Sequence, residues 1–408
     1  MEWTVKFFLV YCFIAFYFFF LFLLLFVKHR KHIYEIQKPD KDYSVSIIIP
    51  AYNEEDTIVE TVEAILNLDY KNIRQIIVVN DGSKDGTAEK VRRIMKKDKR
   101  IVLIDKKNSG KADSINQALK IVESELVGIC DADSFPERDS LKNSVGNFND
   151  FSVGGTTSFV KVRNRESFFG TVQAMEYAML GFMRKLLDFI DAVYVTPGPL
   201  SIYRTKLVID LGGFDDSTVT EDIEIAWRII DAGHKIRMSL MSVATTVVPI
   251  KIKAWWRQRV RWGVGGLQCI TKYRRSFFKK GIFGWFIMPF VVTTILLSIF
   301  GFMFGMYILS KAFFHTYLIA EYSFLANVGF FDFSTPTPSF VFFMILFLFL
   351  VGFLWGTLGW RISNEKQFTK LTGKRIFNRF FYMFIYLMFY PLVWSESIYR
   401  WVTKKARW

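Results

Sequence analysis

The chain has 408 residues with a formal net charge of +15, and 18% of its side chains are aromatic. That length allows one large domain beside a membrane region, and three widely separated cysteines (Cys12, Cys130, Cys269) argue against a disulfide framework or a zinc site. The positive charge is not a nucleic-acid signature, because residues 44–250 hold 26 basic against 30 acidic side chains and the excess lies beside apolar segments.

Val5 to Val27 is an unbroken apolar run, long enough to span a bilayer and followed by Lys28-His29-Arg30-Lys31-His32. It is too long for a signal-peptide core and is basic on the wrong flank. It reads as an anchor over residues 1–27, with the N-terminus outside and the following residues in the cytoplasm. Val45 to Ile49 is β-branched and apolar, a buried strand ended by Pro50. Glu54 to Leu66 follows as a helix, Ile76 to Val79 as a strand, Asp85 to Lys97 as a helix, Ile101 to Ile104 as a strand and Lys111 to Val122 as a helix. Leu126 to Cys130 is the next strand. This alternation predicts an α/β domain with parallel strands and helices on both faces, in which ligands bind at the carboxyl ends of strands. Tyr52-Asn53-Glu54, Asp81-Gly82-Ser83 and Asp131-Ala132-Asp133 all fall at such ends.

Residues 150–250 are less regular. Gly154-Gly155, Gly198 and Gly212-Gly213 mark turns, and Thr196 to Ser201 forms a tight polar loop. Thr220 is a candidate N-cap for a helix whose first turn holds Glu221 and Asp222. Lys251 to Lys280 then carries ten Lys or Arg and no acid. Ile252, Trp255, Trp256 and Val260 recur at an amphipathic helical spacing, so residues 251–280 read as basic helices lying in a membrane interface. Gln258, Arg261 and Trp262 fall at i, i+3 and i+4 on the flank of that stripe, which lets their side chains converge. Residues 281–408 form a C-terminal membrane region, with Gly284 to Leu309 and Phe340 to Trp360 long enough to cross. Phe380 to Val402 is weaker, interrupted by Pro391 and Glu396. A single crossing there would put the basic tail Lys404-Lys405-Ala406-Arg407 outside, whereas a re-entrant or interfacial course would not.

Each polar cluster allows two readings. Asp131 and Asp133 suit a divalent metal on a diphosphate, or a solvated turn. Asp81 is a turn residue or a ligand contact, and Tyr52 a half-buried core ring or one packed on a base. Lys111 meets either solvent or an anionic donor. Glu221-Asp222 caps a helix, or supplies a general base to an acceptor hydroxyl.

The order Ile49-Pro50-Ala51-Tyr52-Asn53-Glu54, Asn80-Asp81-Gly82-Ser83, Gly110-Lys111-Ala112-Asp113, Asp131-Ala132-Asp133, Thr220-Glu221-Asp222 and Gln258-Arg259-Val260-Arg261-Trp262 resembles the processive membrane glycosyltransferases of family 2. These include hyaluronan, chitin, cellulose and poly-N-acetylglucosamine synthases. The resemblance covers residues 44–270 and implies a Rossmann-like GT-A catalytic domain over residues 28–250. It implies an inverting transfer of a sugar, best matched by N-acetylglucosamine, from a UDP-sugar to a growing β-linked polysaccharide that is also translocated. Addition of one sugar to a lipid is the alternative. The matching positions imply that Tyr52 and Asp81 hold uridine, with Glu54 also in the substrate site. Lys111 and Asp131 would touch the nucleotide-sugar, and Asp133 would hold Mg²⁺ or Mn²⁺. Asp222 would be the base, with Glu221 beside it. Gln258, Arg259, Arg261 and Trp262 would bind the diphosphate and frame the acceptor. Gly198 and Pro199 belong to a loop similar to the family's acceptor loop, although Pro197 stands where hyaluronan-type enzymes tend to carry Ser. The run through Gly263-Val264-Gly265-Gly266 looks closest to poly-N-acetylglucosamine synthases. Expected partners are the UDP-sugar, a glycan acceptor, membrane lipid and a small membrane partner subunit, with no nucleic acid.

Overall fold

A computed structural model describes residues 3–325, 340–370 and 372–405. It opens with α1 (Trp3–His29), β1 (Val45–Ala51), α2 (Ile58–Leu66), β2 (Ile73–Asp81), α3 (Thr87–Met95), β3 (Ile101–Lys106), α4 (Lys111–Leu119) and β4 (Leu126–Ile129). Next come β5 (Ser134–Pro136), α5 (Lys142–Val145), β6 (Val153–Val162), α6 (Phe168–Asp188), β7 (Ser201–Arg204), α7 (Thr205–Asp210), α8 (Glu221–Asp231) and β8 (Lys235–Thr246). The C-terminal part holds α9 (Ile252–Lys272), α10 (Met288–Leu325), α11 (Phe340–Ile362), α12 (Gly373–Phe381) and α13 (Phe389–Val402).

The strands make one eight-stranded mixed sheet in the order β3-β2-β1-β4-β7-β6-β8-β5. Ile47 and Ile49 of β1 join the core layer under α2 and α3, whereas Ile48 joins the layer under α4 and α6. An uninterrupted apolar strand is therefore what a sheet covered on both faces requires. Pro50 does not end β1, as its lack of an N–H suggested, but pairs with Val79 of β2. Val45 donates to Asn72 on the β2 side, and alternate residues turn the other way. The nitrogen of Pro50 thus faces β4 beyond that strand's last pair, Ile48 with Ile129, where no donor is needed.

The expected parallel order holds for β3, β2, β1 and β4. It fails at β7, which runs antiparallel to β4 and pairs Ser201 with Ile129. That reversal starts β7 where β4 ends, and so delivers the loop before it to the carboxyl end of β4. Gly154-Gly155 is not a turn but lies inside β6, where a Cβ on Gly154 would come within 2.6 Å of Leu207 and 2.8 Å of Ile229. The glycines permit close packing there.

Among the described residues, three helices are long and apolar enough to cross a membrane: Trp3–His29, Phe283–Tyr322 and Gly373–Val402. Within α11, Leu346–Ile362 is a shorter apolar stretch. α6 packs between the sheet, through β6 and β8, and the apolar α11. In the last apolar segment Glu396 accepts from Trp256 Nε1 of α9 and from Arg400 Nε at 2.7 Å, so α13 lies along α9 with its acid satisfied. Ala406 and Arg407 of the basic tail fall outside the described residues.

Candidate active site

The carboxyl ends of β2 and β4 set the first half of the site. Asp81 accepts from the backbone N–H groups of Ser109 and Gly110, both at 2.9 Å, and from Lys106. The carboxylate thereby shapes the turn that begins α4, where Gly110 takes φ +100°, open to glycine at no steric penalty. Lys111, the first residue of α4, is aimed by this turn at two acids. Its Nζ lies 2.6 Å from Asp131 Oδ1 and 2.7 Å from Glu221 Oε1. Burial works against its charge, but Asp131 and Glu221 outweigh that and hold the ammonium well above its ordinary range.

Beyond β4, Thr61 Oγ1 donates to the carbonyl of Ala132 at 2.7 Å and fixes the Asp131-Ala132-Asp133 turn. Burial, then Asp131 and Glu54, push Asp133 up to about 7. Burial also raises Glu54, ahead of the effect of Asp131. The β7 reversal brings Gly198 against Asp131 so closely that a Cβ would sit 2.0 Å from Asp131 Oδ2. Pro199 follows it in the same loop, and Leu200 then takes φ 53°. Tyr52 stands at the end of β1 with 45% of its surface exposed.

α8 and α9 supply the second half. Glu221, Asp222 and Glu224 occupy the first turn of α8, as a helix dipole favours. Thr220 sits at the N-cap position, but its hydroxyl makes no capping bond, contrary to expectation. It is pressed instead against Gly265 of α9, where a Cβ would stand 1.9 Å from Thr220 Oγ1. On its other side α9 meets α13, and a Cβ on Gly263 would lie 2.3 Å from Ser397 Oγ. The glycines after Trp262 thus let α9 wedge between the acidic turn and the last apolar segment. Arg261 Nη1 donates to the carbonyl of Val219 at 3.0 Å, and Gln268 Oε1 accepts from its N–H at 2.9 Å, which pins the approach to α8. Burial pushes Glu221 up, but Lys111 beside it prevails and holds the carboxyl below its usual range. Burial and then Glu221 push Asp222 up to about 6, while Lys111 and Arg261 pull the other way.

Lys111, Glu221, Arg261 and the Asp216–Val219 segment line a cleft of about 1160 Å³, with Trp401 and Lys404 at its C-terminal edge. The sequence-predicted Lys111, Asp131, Glu221, Asp222 and Arg261 therefore act on one another directly or through their charge, with Glu54 and Asp133 coupled through Asp131.

Arg259 departs from its expected contact with the diphosphate. It is 1% exposed, and its Nη2 donates to Glu176 Oε2 of α6 at 2.7 Å. Its Nε donates to Tyr390 at 3.0 Å and its Nη1 to Gln258 Oε1 at 2.6 Å. The guanidinium lies 4.1 Å from the ring centre of the half-buried Trp262. Glu176 also accepts from Tyr386 at 2.6 Å and from Tyr390, and Trp255 Nε1 donates to Tyr386 at 2.7 Å. Sequence reasoning missed Glu176, Tyr386 and Tyr390. It also missed Arg184 of α6, whose guanidinium burial pushes down to about 10, with Tyr194 and then Asp222 opposing. An acid and an arginine inside the apolar run of α6 were the available signal.

The family model described as "Glycosyltransferase like family 2" matches residues 41–265. A poly-beta-1,6-N-acetyl-D-glucosamine synthase of Staphylococcus aureus (strain MSSA476) is 31% identical over 260 residues, which is 62% of this chain and 63% of that protein. The synthase of the same description from Staphylococcus epidermidis is 29% identical over 231 residues, 56% of each chain. The match thus spans less than two thirds of these relatives' length. A solved structure described as "Mannosyltransferase PcManGT from Pyrobaculum calidifontis in complex with GDP-Man and Mn2+" aligns over 97% of this chain and 99% of its own. Its TM-score is 0.59 at 20% identity, a likeness of fold.

Proposed function

The chain belongs to glycosyltransferase family 2, and from that premise we propose that it is an inverting membrane polysaccharide synthase using a UDP-sugar, with N-acetylglucosamine as the sugar. The observation that carries this is the bridge made by Lys111, which ties Asp131 of the β4 turn to Glu221 of α8 at 2.6 and 2.7 Å and so brings a donor site beside the turn that holds Asp222. The choice of sugar rests on the similarity to the staphylococcal synthases.

Asp222 accepts the proton of an acceptor hydroxyl. The freed oxygen attacks the anomeric carbon from the face opposite the diphosphate, the new β-glycosidic bond forms, and the old carbon–oxygen bond breaks with its electron pair leaving on UDP. A carboxyl raised to about 6 is ionised at neutral pH yet more basic than an ordinary aspartate, which suits it to this step. Arg261, held at the cleft by Val219, faces the negative charge that grows on the departing diphosphate. Tyr52, exposed at the end of β1, offers its ring to the base of the nucleotide.

The acids fit a hard divalent cation. Burial raises Asp133, and after burial the charges of Asp131 and Glu54 raise it further, so a cation beside it would relieve that charge. Among the described residues no group of three or more His, Cys, Asp or Glu could hold a metal ion. Asp133 would therefore share Mg²⁺ or Mn²⁺ with the substrate phosphates, the usual arrangement for such ions. When bound, the cation neutralises charge on the leaving diphosphate. The elongated glycan then passes Trp262 toward the apolar helices, with the catalytic domain on the cytoplasmic side.

The test is UDP release by the protein in membranes, screened over UDP-sugars. Asp222→Asn is expected to lower turnover by about 10²–10⁴-fold. Normal turnover by that variant removes the base from the scheme. A ladder of product lengths marks a synthase, whereas one glycolipid marks single-sugar transfer.

A further inference from the structure

Two residues of the Gln-x-x-Arg-Trp motif, Gln258 and Trp262, both contact Arg259, the first of the two arginines between them. Arg259 gives one N–H to the side-chain oxygen of Gln258 and lays its guanidinium 4.1 Å from the ring centre of Trp262. Arg259 does not choose its own position. It is buried, and the fixed point it meets is Glu176, which comes from α6 of the catalytic domain. The same carboxylate draws in Tyr386 and Tyr390 from the C-terminal segment. One acid thus gathers three parts of the chain that are far apart in sequence.

We propose that Glu176 is the positioning residue for the acceptor end of the site, acting through Arg259 to set the Trp262 ring and the Gln258 amide. The inference rests on the synthase reading, in which Trp262 frames the acceptor sugar. Glu176 itself touches no substrate. Each carboxylate oxygen of Glu176 has a donor, and Arg259 spends its N–H groups on Glu176, Tyr390 and Gln258. A buried charge pair bonded in this way is weak evidence of stability by itself, but it fixes geometry where an apolar pair would leave rotamers open. A guanidinium against an indole face also restricts the tilt of that ring. None of these hydrogen bonds involves Lys111, Asp131 or Glu221. The donor half is therefore separable from the acceptor half.

A single substitution would strand a buried charge, so the informative variant is the double one, Glu176→Gln with Arg259→Met. It removes both charges, keeps side chains of similar length and leaves Tyr386 and Tyr390 an oxygen to bond. The full-length protein in membranes is assayed for UDP affinity, for hydrolysis of the UDP-sugar by water, and for transfer to glycan. The expected result is a folded protein with UDP affinity and hydrolysis within about twofold of wild type, and transfer lowered by at least about tenfold. Glu176→Asp, which keeps the charge, is expected to recover part of the transfer. A double variant that melts like wild type and transfers like wild type overturns the proposal and leaves Glu176 a packing residue. Loss of UDP affinity together with transfer also overturns it, because the two halves would then not be separable. Failure of the wild-type protein to release UDP from any UDP-sugar would instead strike the synthase reading.

Discussion

Arg259 and Arg261 stand two residues apart on α9 and carry the same guanidinium, yet their surroundings are opposite. Arg259 is sealed among Glu176, Tyr390, Gln258 and the Trp262 ring. Arg261 opens on the cleft, with a backbone carbonyl as its hydrogen-bond partner and Glu221 and Asp222 within reach of its charge. Successive positions two apart on a helix point about 200° away from each other, so one motif necessarily serves two faces. The buried face has its charges satisfied and fixes where the helix sits. The cleft face is left electrostatically incomplete, as a substrate site must be. A motif read as a string cannot separate those duties, because both residues look like phosphate ligands.

The largest expected effect tests the buried face. Arg259→Met leaves the carboxylate of Glu176 buried without its cation, which costs about 3–5 kcal/mol of stability. The unfolding midpoint of the detergent-solubilised protein measures this. A midpoint unchanged from wild type would show that the pair is not sealed. Arg261→Ala should do the reverse. Its side chain is half-buried and loses one hydrogen bond, so stability shifts by roughly 1 kcal/mol. Turnover per encounter, kcat/KM for the UDP-sugar, should fall by about 10²–10³-fold, as when one donor to a developing charge is removed. If Arg261→Ala lowers the unfolding midpoint by the equivalent of several kcal/mol while leaving kcat/KM unchanged, the two faces have been exchanged.

A smaller effect probes the wedge between them. Gly265→Ala places a methyl group 1.9 Å from Thr220 Oγ1, and overpacking of that kind costs about 1–3 kcal/mol. It should also displace the turn that holds Asp222 and so lower turnover. Gly266→Ala is the control, because the nearest atom there belongs to Trp394 at 4.0 Å. Equal loss in both variants would mean that the glycines serve the helix itself and not its contact with α8.

Much of the donor half was legible in the sequence because it lies on short local signals. β-branched runs ending in polar clusters marked β1, β2 and β4, and the acids of α8 fell in a first turn as the dipole predicts. The region around α8 was not, from β6 through α6 and again in β8. α6 buries residues on all its faces, including Gln173, Glu176, Phe182 and Lys185, since it lies between sheet and apolar helices. It therefore lacks the one-sided stripe by which a helix is recognised. β6 was hidden for a related reason, being almost wholly buried and therefore without alternation. Tyr386 and Tyr390, inside the last apolar segment, meet an acid more than 200 residues away. Such a long-range polar network leaves no periodic trace in sequence.

The smallest effect is a shift in a pH profile, and it separates the two arginines most cleanly. Burial and Glu221 raise Asp222 to about 6, and the charges of Lys111 and Arg261 restrain that rise, whereas Arg259 is not one of the main influences on it. A base must be ionised to act, so turnover should rise with pH through about 6 and then level off. One pH unit below that point about a tenth of the carboxyl is ionised, and the rate falls roughly tenfold. If Asp133 holds the cation as proposed, saturating UDP-sugar and Mn²⁺ would keep it from contributing to the profile. Arg261→Ala removes a charge that favours the ionised form, so the midpoint of its residual activity should move upward. The double variant Glu176→Gln with Arg259→Met should keep the wild-type midpoint at lower transfer. A midpoint that moves with Arg259 and stays fixed with Arg261 would place the wrong arginine beside the base.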